Sequence, residues 1–177
     1  VKRLVALLLV AVLACSLVGC DLGSSDKSDE NAPLMTGGVS DTLTFDELEI
    51  TVTKFVFSKY CGNLSSLGEA ESGSVWCTVY LNVKNISKSA KILTRSYGTK
   101  YDFTLDYNNG YTYNTAWFEY AEFLNAHESI APLETLSNVC VSYKVPLEVK
   151  KNTENSLKLK CSYNSQKETD YVEWELR

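Results

Sequence analysis

The sequence predicts an all-β fold, a two-sheet antiparallel sandwich of about seven strands. Three observations carry that reading. From about Leu43 onward, short runs rich in Val, Ile, Thr, Tyr and Phe are separated by Gly, Asn, Ser, Asp or Pro, the strand-and-turn texture of a β domain. Several of these runs alternate apolar and polar residues, so each offers one face to a core and one to water. No stretch of the domain sustains a long helical period. Its length suffices to bury one core without further domains.

The elements follow in chain order. Lys2-Arg3 precedes an almost wholly apolar run from Leu4 to Val18, shorter than the roughly 20 residues of a membrane-spanning helix and in keeping with a secretory signal. The run closes on Leu17-Val18-Gly19-Cys20. A branched apolar residue, a small residue and a cysteine in this order resemble the lipobox of bacterial lipoproteins, in which diacylglycerol is attached to the cysteine thiol and the chain is cut before it. The alternative is an ordinary signal peptide with a chance cysteine. On the lipobox reading, residues 1–19 are the signal peptide, Cys20 is the lipidation site, and the domain is tethered at the extracellular face of the cell membrane. Two or more acyl chains such as palmitate anchor stably, because each buried methylene contributes about 0.8 kcal/mol. Residues 20–41 form the lipidated cysteine and a flexible linker, since Gly, Ser, Asp and Asn there leave almost nothing to pack. The sandwich domain is expected over 42–177.

Within the first strand, Ile50 and Val52 fall in one phase and Phe55 and Phe57 in the other, which predicts a bulge between them. In the next, Val75, Cys77, Val79, Leu81 and Val83 alternate with Trp76, Thr78, Tyr80, Asn82 and Lys84, and Asn85-Ile86-Ser87-Lys88-Ser89 ends it. Tyr101, Phe103 and Leu105 share a face. The segment Asp106 to Gly110 turns that strand into Tyr111-Thr112-Tyr113, with Asn109-Gly110 expected to supply the positive φ of a tight hairpin. Residues 115–127 are ambiguous: Trp117, Tyr120, Ala121 and Leu124 recur at helical spacing, so a short amphipathic helix stands beside a strand or irregular loop. After Pro132, Val139, Val141, Tyr143 and Val145 face one way and Cys140, Ser142 and Lys144 the other, until Pro146 stops the strand. Leu157, Leu159, Cys161 and Tyr163 make the next strand, and 171–176 the last.

With Cys15 in the leader and Cys20 lipidated, Cys61, Cys77, Cys140 and Cys161 remain. An even number in an oxidising compartment implies two disulfides. A zinc site needs paired short spacings such as Cys-x2-Cys, which these four lack. Cys77 and Cys161 are in phase with the apolar faces of their strands, and Cys140 is out of phase with its own. Phase favours Cys77–Cys161 with Cys61–Cys140; the local pairing Cys61–Cys77 with Cys140–Cys161, which staples two hairpins, stands beside it.

Three segments, "WCTVYLNVKNISKSA", "FTLDYNNGYTY" and "IAPLETLSNVCVSYKVP", follow one another behind the lipobox. In that order they resemble a group of secreted Gram-positive lipoproteins of unknown function, whose domain resembles the mycobacterial immunoprotective extracellular antigen. The likeness covers about residues 38 to 177. It implies an immunoglobulin-like sandwich and a cell-surface setting, and brings no catalytic residues. The chain departs from the group at Pro132-Leu133, where Pro-Gly is frequent, and in its four domain cysteines.

Charge and composition narrow the function. The chain carries 17 basic and 22 acidic side chains, and loss of Lys2 and Arg3 with the leader leaves 15 basic ones, so the mature charge goes from −5 to −7. An acidic domain repels phosphate backbones and anionic lipid surfaces, which argues against nucleic-acid binding. Nucleophilic catalysis usually wants a histidine base, and the one histidine, His127, sits in a polar turn. Glu119 with Glu122, and Asp102 with Asp106, read as solvated surface carboxylates. The Asp106–Gly110 loop faintly resembles a calcium loop, but Ala116 stands where the closing acid belongs. The expectation is a non-enzyme without metal or cofactor. What stands out is aromatic crowding from Tyr107 to Phe123, of which part is expected to fill the core. The rest nominates a ligand contact at Tyr111, Tyr113, Trp117 and Tyr120, because Tyr and Trp give rigid amphipathic contact area. The expected function is a membrane-anchored binding module for a protein or cell-envelope ligand. A carbohydrate-binding module or an accessory subunit of an envelope complex is the alternative.

Overall fold

The computed structural model describes residues 32–61, 64–95, 98–99, 101–120, 129–163 and 170–177, with backbone alone for 64–67, 94–95, 98–99 and 117–120. The leader, Cys20, most of the linker and His127 lie outside the described residues. In chain order the strands are β1 (Met35–Gly38), β2 (Thr42–Phe45), β3 (Leu48–Ser58), β4 (Tyr60–Cys61), β5 (Leu64–Glu69), β6 (Ser74–Asn85), β7 (Lys91–Ile92) and β8 (Thr94–Arg95). There follow β9 (Gly98–Thr99), β10 (Tyr101–Tyr107), β11 (Tyr111–Asn114), β12 (Trp117–Tyr120), β13 (Ser129–Ile130), β14 (Thr135–Pro146), the short helix α1 (Leu147–Lys151), β15 (Leu157–Tyr163) and β16 (Tyr171–Glu175).

Two five-stranded sheets carry the fold, in the orders β1-β16-β15-β10-β11 and β12-β14-β6-β3-β2. The result is the expected immunoglobulin-like two-sheet sandwich, antiparallel except where β1 runs parallel to β16. Alternation explains the core. Val75, Cys77, Val79, Leu81 and Val83 of β6 face Leu105, Leu157, Leu159, Cys161, Val172 and Trp174 of the other sheet in one buried cluster. The bulge in β3 falls between Val52 and Lys54, so Phe55 and Phe57 rejoin the inward phase that Ile50 and Val52 began. The extra residue, Thr53, donates its hydroxyl to the Tyr80 carbonyl at 3.1 Å.

Two expectations change, one open reading is resolved and one element is new. Met35–Gly38, read as linker, is an edge strand paired with β16. Edge pairing uses backbone groups and needs no apolar alternation. Gly37 suits it, because a Cβ there would lie 3.0 Å from the Asp41 Cβ. In the β10–β11 hairpin the positive φ sits at Asn108 and Asn109, one residue earlier than expected, as Asn tolerates the left-handed region. Of the readings left open for 115–127, the strand holds at 117–120, which pair along one side with Val139–Ser142 of β14; residues 121–128 lie outside the described residues. Helix α1 carried no sequence signal at five residues, too short to show a period.

Register gives the sandwich two distinct ends. At one, Tyr101 pairs with Tyr163, Met35 with Val172 and Leu48 with Asn85, and the Phe45 ring joins the sheets at 4.8 Å from Tyr163 and 6.3 Å from Tyr101. This is the entry end, where the described chain begins. At the other, the hairpin end, lie the Tyr107–Tyr111 turn, α1 and the Asn152–Ser156 loop, tied by Arg177. Its Nε donates to the Asn155 carbonyl at 3.2 Å and its guanidinium to the Val149 carbonyl at 2.5 Å.

Candidate functional site

The Asn108-Asn109 turn pairs Tyr107 with Tyr111, and the ladder then sets Tyr113 opposite Leu105. Tyr107, Tyr111 and Tyr113 therefore share the core side of the sheet edge. Tyr107 is buried, Tyr113 half-buried against the core, and Tyr111 is 62% exposed at the tip. The Tyr107 and Tyr111 rings lie 6.3 Å apart. Asn155 Nδ2 donates to the Tyr107 hydroxyl at 2.7 Å. Burial, and then the neighbouring Tyr107, Tyr111 and Glu148, raise the Tyr113 pKa, so its phenol stays protonated and able to donate a hydrogen bond. The cluster thus presents one exposed ring, a phenol, and the Glu148 carboxylate from the first turn of α1.

Of the four expected contact residues, the structure brings together Tyr111 and Tyr113. Trp117 and Tyr120 stand on β12, the edge of the other sheet, at the register positions of Ser142 and Val139; their side chains lie outside the described residues. The chain crosses between the sheets at Thr115-Ala116, where Thr115 donates its hydroxyl to the Phe103 carbonyl and Ala116 N–H donates to Ser142 at 2.9 Å. Sequence reasoning placed Tyr107 among the crowded aromatics but not at the site, although hairpin register marks it as the partner of Tyr111. Glu148 and Asn155 reach the site from some forty residues downstream, and no local pattern announces that.

Of the nominated carboxylates, Asp106 is engaged, and Glu119 is described by its backbone alone. Asp106 sits 2.6 Å from Lys160 Nζ and accepts the Thr112 hydroxyl at 2.8 Å. Lys158 and Glu173, 2.9 Å apart, continue this ladder across the outer face of the sheet. Glu122 and His127 lie outside the described residues.

Cys61, Cys77, Cys140 and Cys161 are buried, and the two expected disulfides are not present among the described residues. Cys77 and Cys161 belong to the central core, on either side of the Tyr143 side chain: Cys77 pairs with Tyr143 in the ladder, and the Tyr143 hydroxyl donates to the carbonyl of Phe103, the partner of Cys161. Cys140 lies on the opposite face of β14 from Val139 and Val141, beside Ser142, whose hydroxyl is 2.9 Å from that of Thr78. Burial pushes the Cys77 thiol up to about 12 and raises Cys161 as well.

Compared with protein-family models and with curated proteins, the chain matches none. Among solved structures it is similar to an uncharacterized beta-sandwich protein from Clostridium difficile, with a TM-score of 0.58 at 22% identity over 81% of this chain and 94% of that one. It is also similar to a conserved hypothetical protein from Bacillus anthracis, with a TM-score of 0.52 at 16% identity over 70% of this chain and 87% of that one. At these identities the likeness is one of fold: a β-sandwich of a kind found in Gram-positive bacteria.

Proposed function

We propose that the chain is a lipid-anchored extracellular binding module, without enzymatic activity, that meets a protein or cell-envelope ligand with the tyrosines of its hairpin end. The observation that carries this is Tyr111, a large ring exposed at the tip and backed by Tyr107 and Tyr113. Rigid tyrosines spend little entropy on binding, and a half-buried base holds the exposed ring in place. The lipobox at Leu17–Cys20 and the resemblance to Gram-positive lipoproteins support the anchor. A glycan is the second reading, favoured by the exposed Tyr111 ring, which suits stacking on a sugar, with the charge of Glu148 reaching Tyr113.

Two measurements test this. Labelled palmitate is expected to enter the wild type and not Cys20→Ser; equal labelling removes the anchor. In a pull-down from envelope fractions followed by affinity measurement on the recovered ligand, Tyr111→Ala is expected to weaken binding at least about 30-fold, the size of a hot-spot loss. Unchanged affinity sinks the site, and signal confined to a glycan array turns the reading to sugar.

For the cysteines, the proposed pairing on export is Cys77–Cys161 with Cys61–Cys140. The faces favour it over the local alternative: Cys140 and Cys161 are separated by a sheet, so that alternative would pass a bond through the backbone ladder, whereas Cys77 and Cys161 share the central core and need the Tyr143 side chain between them to move aside. Each bridge would contribute about 2–4 kcal/mol. Peptide mapping without reductant is expected to recover these two crosslinks from exported protein. Four alkylated cysteines after denaturation, or a 140–161 crosslink, would overturn it. Because burial raises Cys77 and Cys161, reduced protein that remains folded is expected to resist alkylation at pH 8, where little thiolate forms.

A further inference from the structure

Five of the nine large apolar side chains exposed among the described residues, Leu34, Met35, Ile86, Ile92 and Leu133, stand at the entry end of the sandwich. Leu34 N–H donates to the Tyr171 carbonyl at 2.8 Å, and Leu133 N–H to the Asn85 carbonyl at 2.8 Å. Ser129 pairs with Ile92, and Ile86 N–H donates to the Glu47 carbonyl at 2.9 Å. Leu133 breaks two local rules together. It occupies the third position of the turn closed by Glu134 N–H to the Ala131 carbonyl at 3.1 Å, with φ +66°, where glycine is the unstrained choice. It is also 74% exposed, the highest exposure among these nine. A branched apolar side chain held out at a strained turn tip gains nothing from the fold it belongs to.

The charges at this end are arranged to the same effect. Asp46 and Glu47 lie 3.4 Å and 2.9 Å from Lys91 Nζ, and Glu134 accepts the Ala131 N–H at 2.7 Å. Lys88, in the turn after Asn85, is exposed. Asp46, Glu47 and Glu134 against Lys88 and Lys91 leave a net charge of −1, so the acidity of the domain is reduced at this end and not cancelled.

We propose that the entry end is a membrane-resting surface, with Leu133, Ile86 and Ile92 inserted at the headgroup boundary of the bilayer and the tyrosine cluster held at the far end. The occupant follows from where the chain goes. The described residues begin at this end, and residues 21–31 allow at most about 40 Å of extended chain back to Cys20, so the bilayer is the surface this end meets most often. This inference rests on the lipid-anchor reading. Small apolar protrusions with a lysine beside them suit the interface, where apolar side chains enter the acyl boundary and cations meet lipid phosphates.

The test uses the full acylated chain in phosphatidylcholine–phosphatidylglycerol vesicles with brominated acyl chains. Co-flotation with the vesicles reports the anchor by itself. Bromine quenching is expected to take emission from Leu133→Trp beyond its loss in the unchanged chain, and to take none extra from Tyr111→Trp. Hydrogen exchange on the unmutated chain is expected to slow at 86–92 and 131–134 on vesicles and not at 108–111. If the chain does not float, the anchor reading fails and this proposal falls with it. A chain that floats while quenching and exchange are the same at both ends leaves the anchor standing and overturns the resting surface.

Discussion

Trp174→Ala is expected to cost about 3–5 kcal/mol, a large part of the 5–15 kcal/mol that holds a domain folded. Trp174 is fully buried and sits in the central core on β16. Its Nε1 also donates to the Asp41 carbonyl at 3.2 Å, which fixes the corner between β1 and β2. Alanine would remove the largest side chain of the core, open a cavity between the sheets and leave that carbonyl without its donor. Urea unfolding followed by far-ultraviolet circular dichroism measures the loss. Trp174→Phe, which keeps most of the ring and lacks the N–H, separates the two contributions and is expected to cost about 1–2 kcal/mol. A loss below about 1 kcal/mol for the alanine variant would mean that β16 is not the keystone its burial implies.

Asn85→Ala is expected to cost about 2–4 kcal/mol, more than a surface turn residue ever would. Asn85 is fully buried at the end of β6. Its Nδ2 donates to the Ile130 and Ser89 carbonyls, each at 2.8 Å. Its Oδ1 accepts the Ser87 N–H at 2.9 Å and the Ser87 hydroxyl at 2.7 Å. One amide therefore closes the turn after β6 and ties it to β13. Without it, the Ile130 carbonyl and the Ser87 N–H are stranded in a dry site, each losing a hydrogen bond that water does not replace. Hydrogen exchange is expected to show the damage first at 86–92 and 129–134. Asn85→Asp keeps the acceptor, loses both donated bonds and brings a carboxylate into the core, so it is expected to be no better than alanine. Stability within about 0.5 kcal/mol of wild type for either variant would remove Asn85 as the organiser of this end.

Asn85 also shows how far the sequence speaks. The motif "VKNISKSA" is legible as a strand ending in a polar turn, but a turn asparagine and a buried four-bond hub read the same in one dimension. The bulge in β3 was legible because a phase change needs only neighbouring residues: Ile50 and Val52 against Phe55 and Phe57. Tyr111 and Tyr113 were legible for the same reason, as hairpin neighbours. Glu148 and Asn155 were not, since they arrive beside Tyr113 and Tyr107 by way of α1 and its following loop, which Arg177 pins from the end of another strand.

By itself the sequence determined the class of fold and which residues of the long strands turn inward, because strand alternation is a local rule with a period of two that these strands keep on either side of their bulges. Tertiary structure alone decided that Met35–Gly38 joins a sheet, that the Tyr143 side chain stands between Cys77 and Cys161, and that apolar tips and tyrosines gather at opposite ends. Those facts depend on which strands become neighbours. Neighbourhood is set by the summed free energy of packing two whole sheets, a quantity that no short window of residues contains.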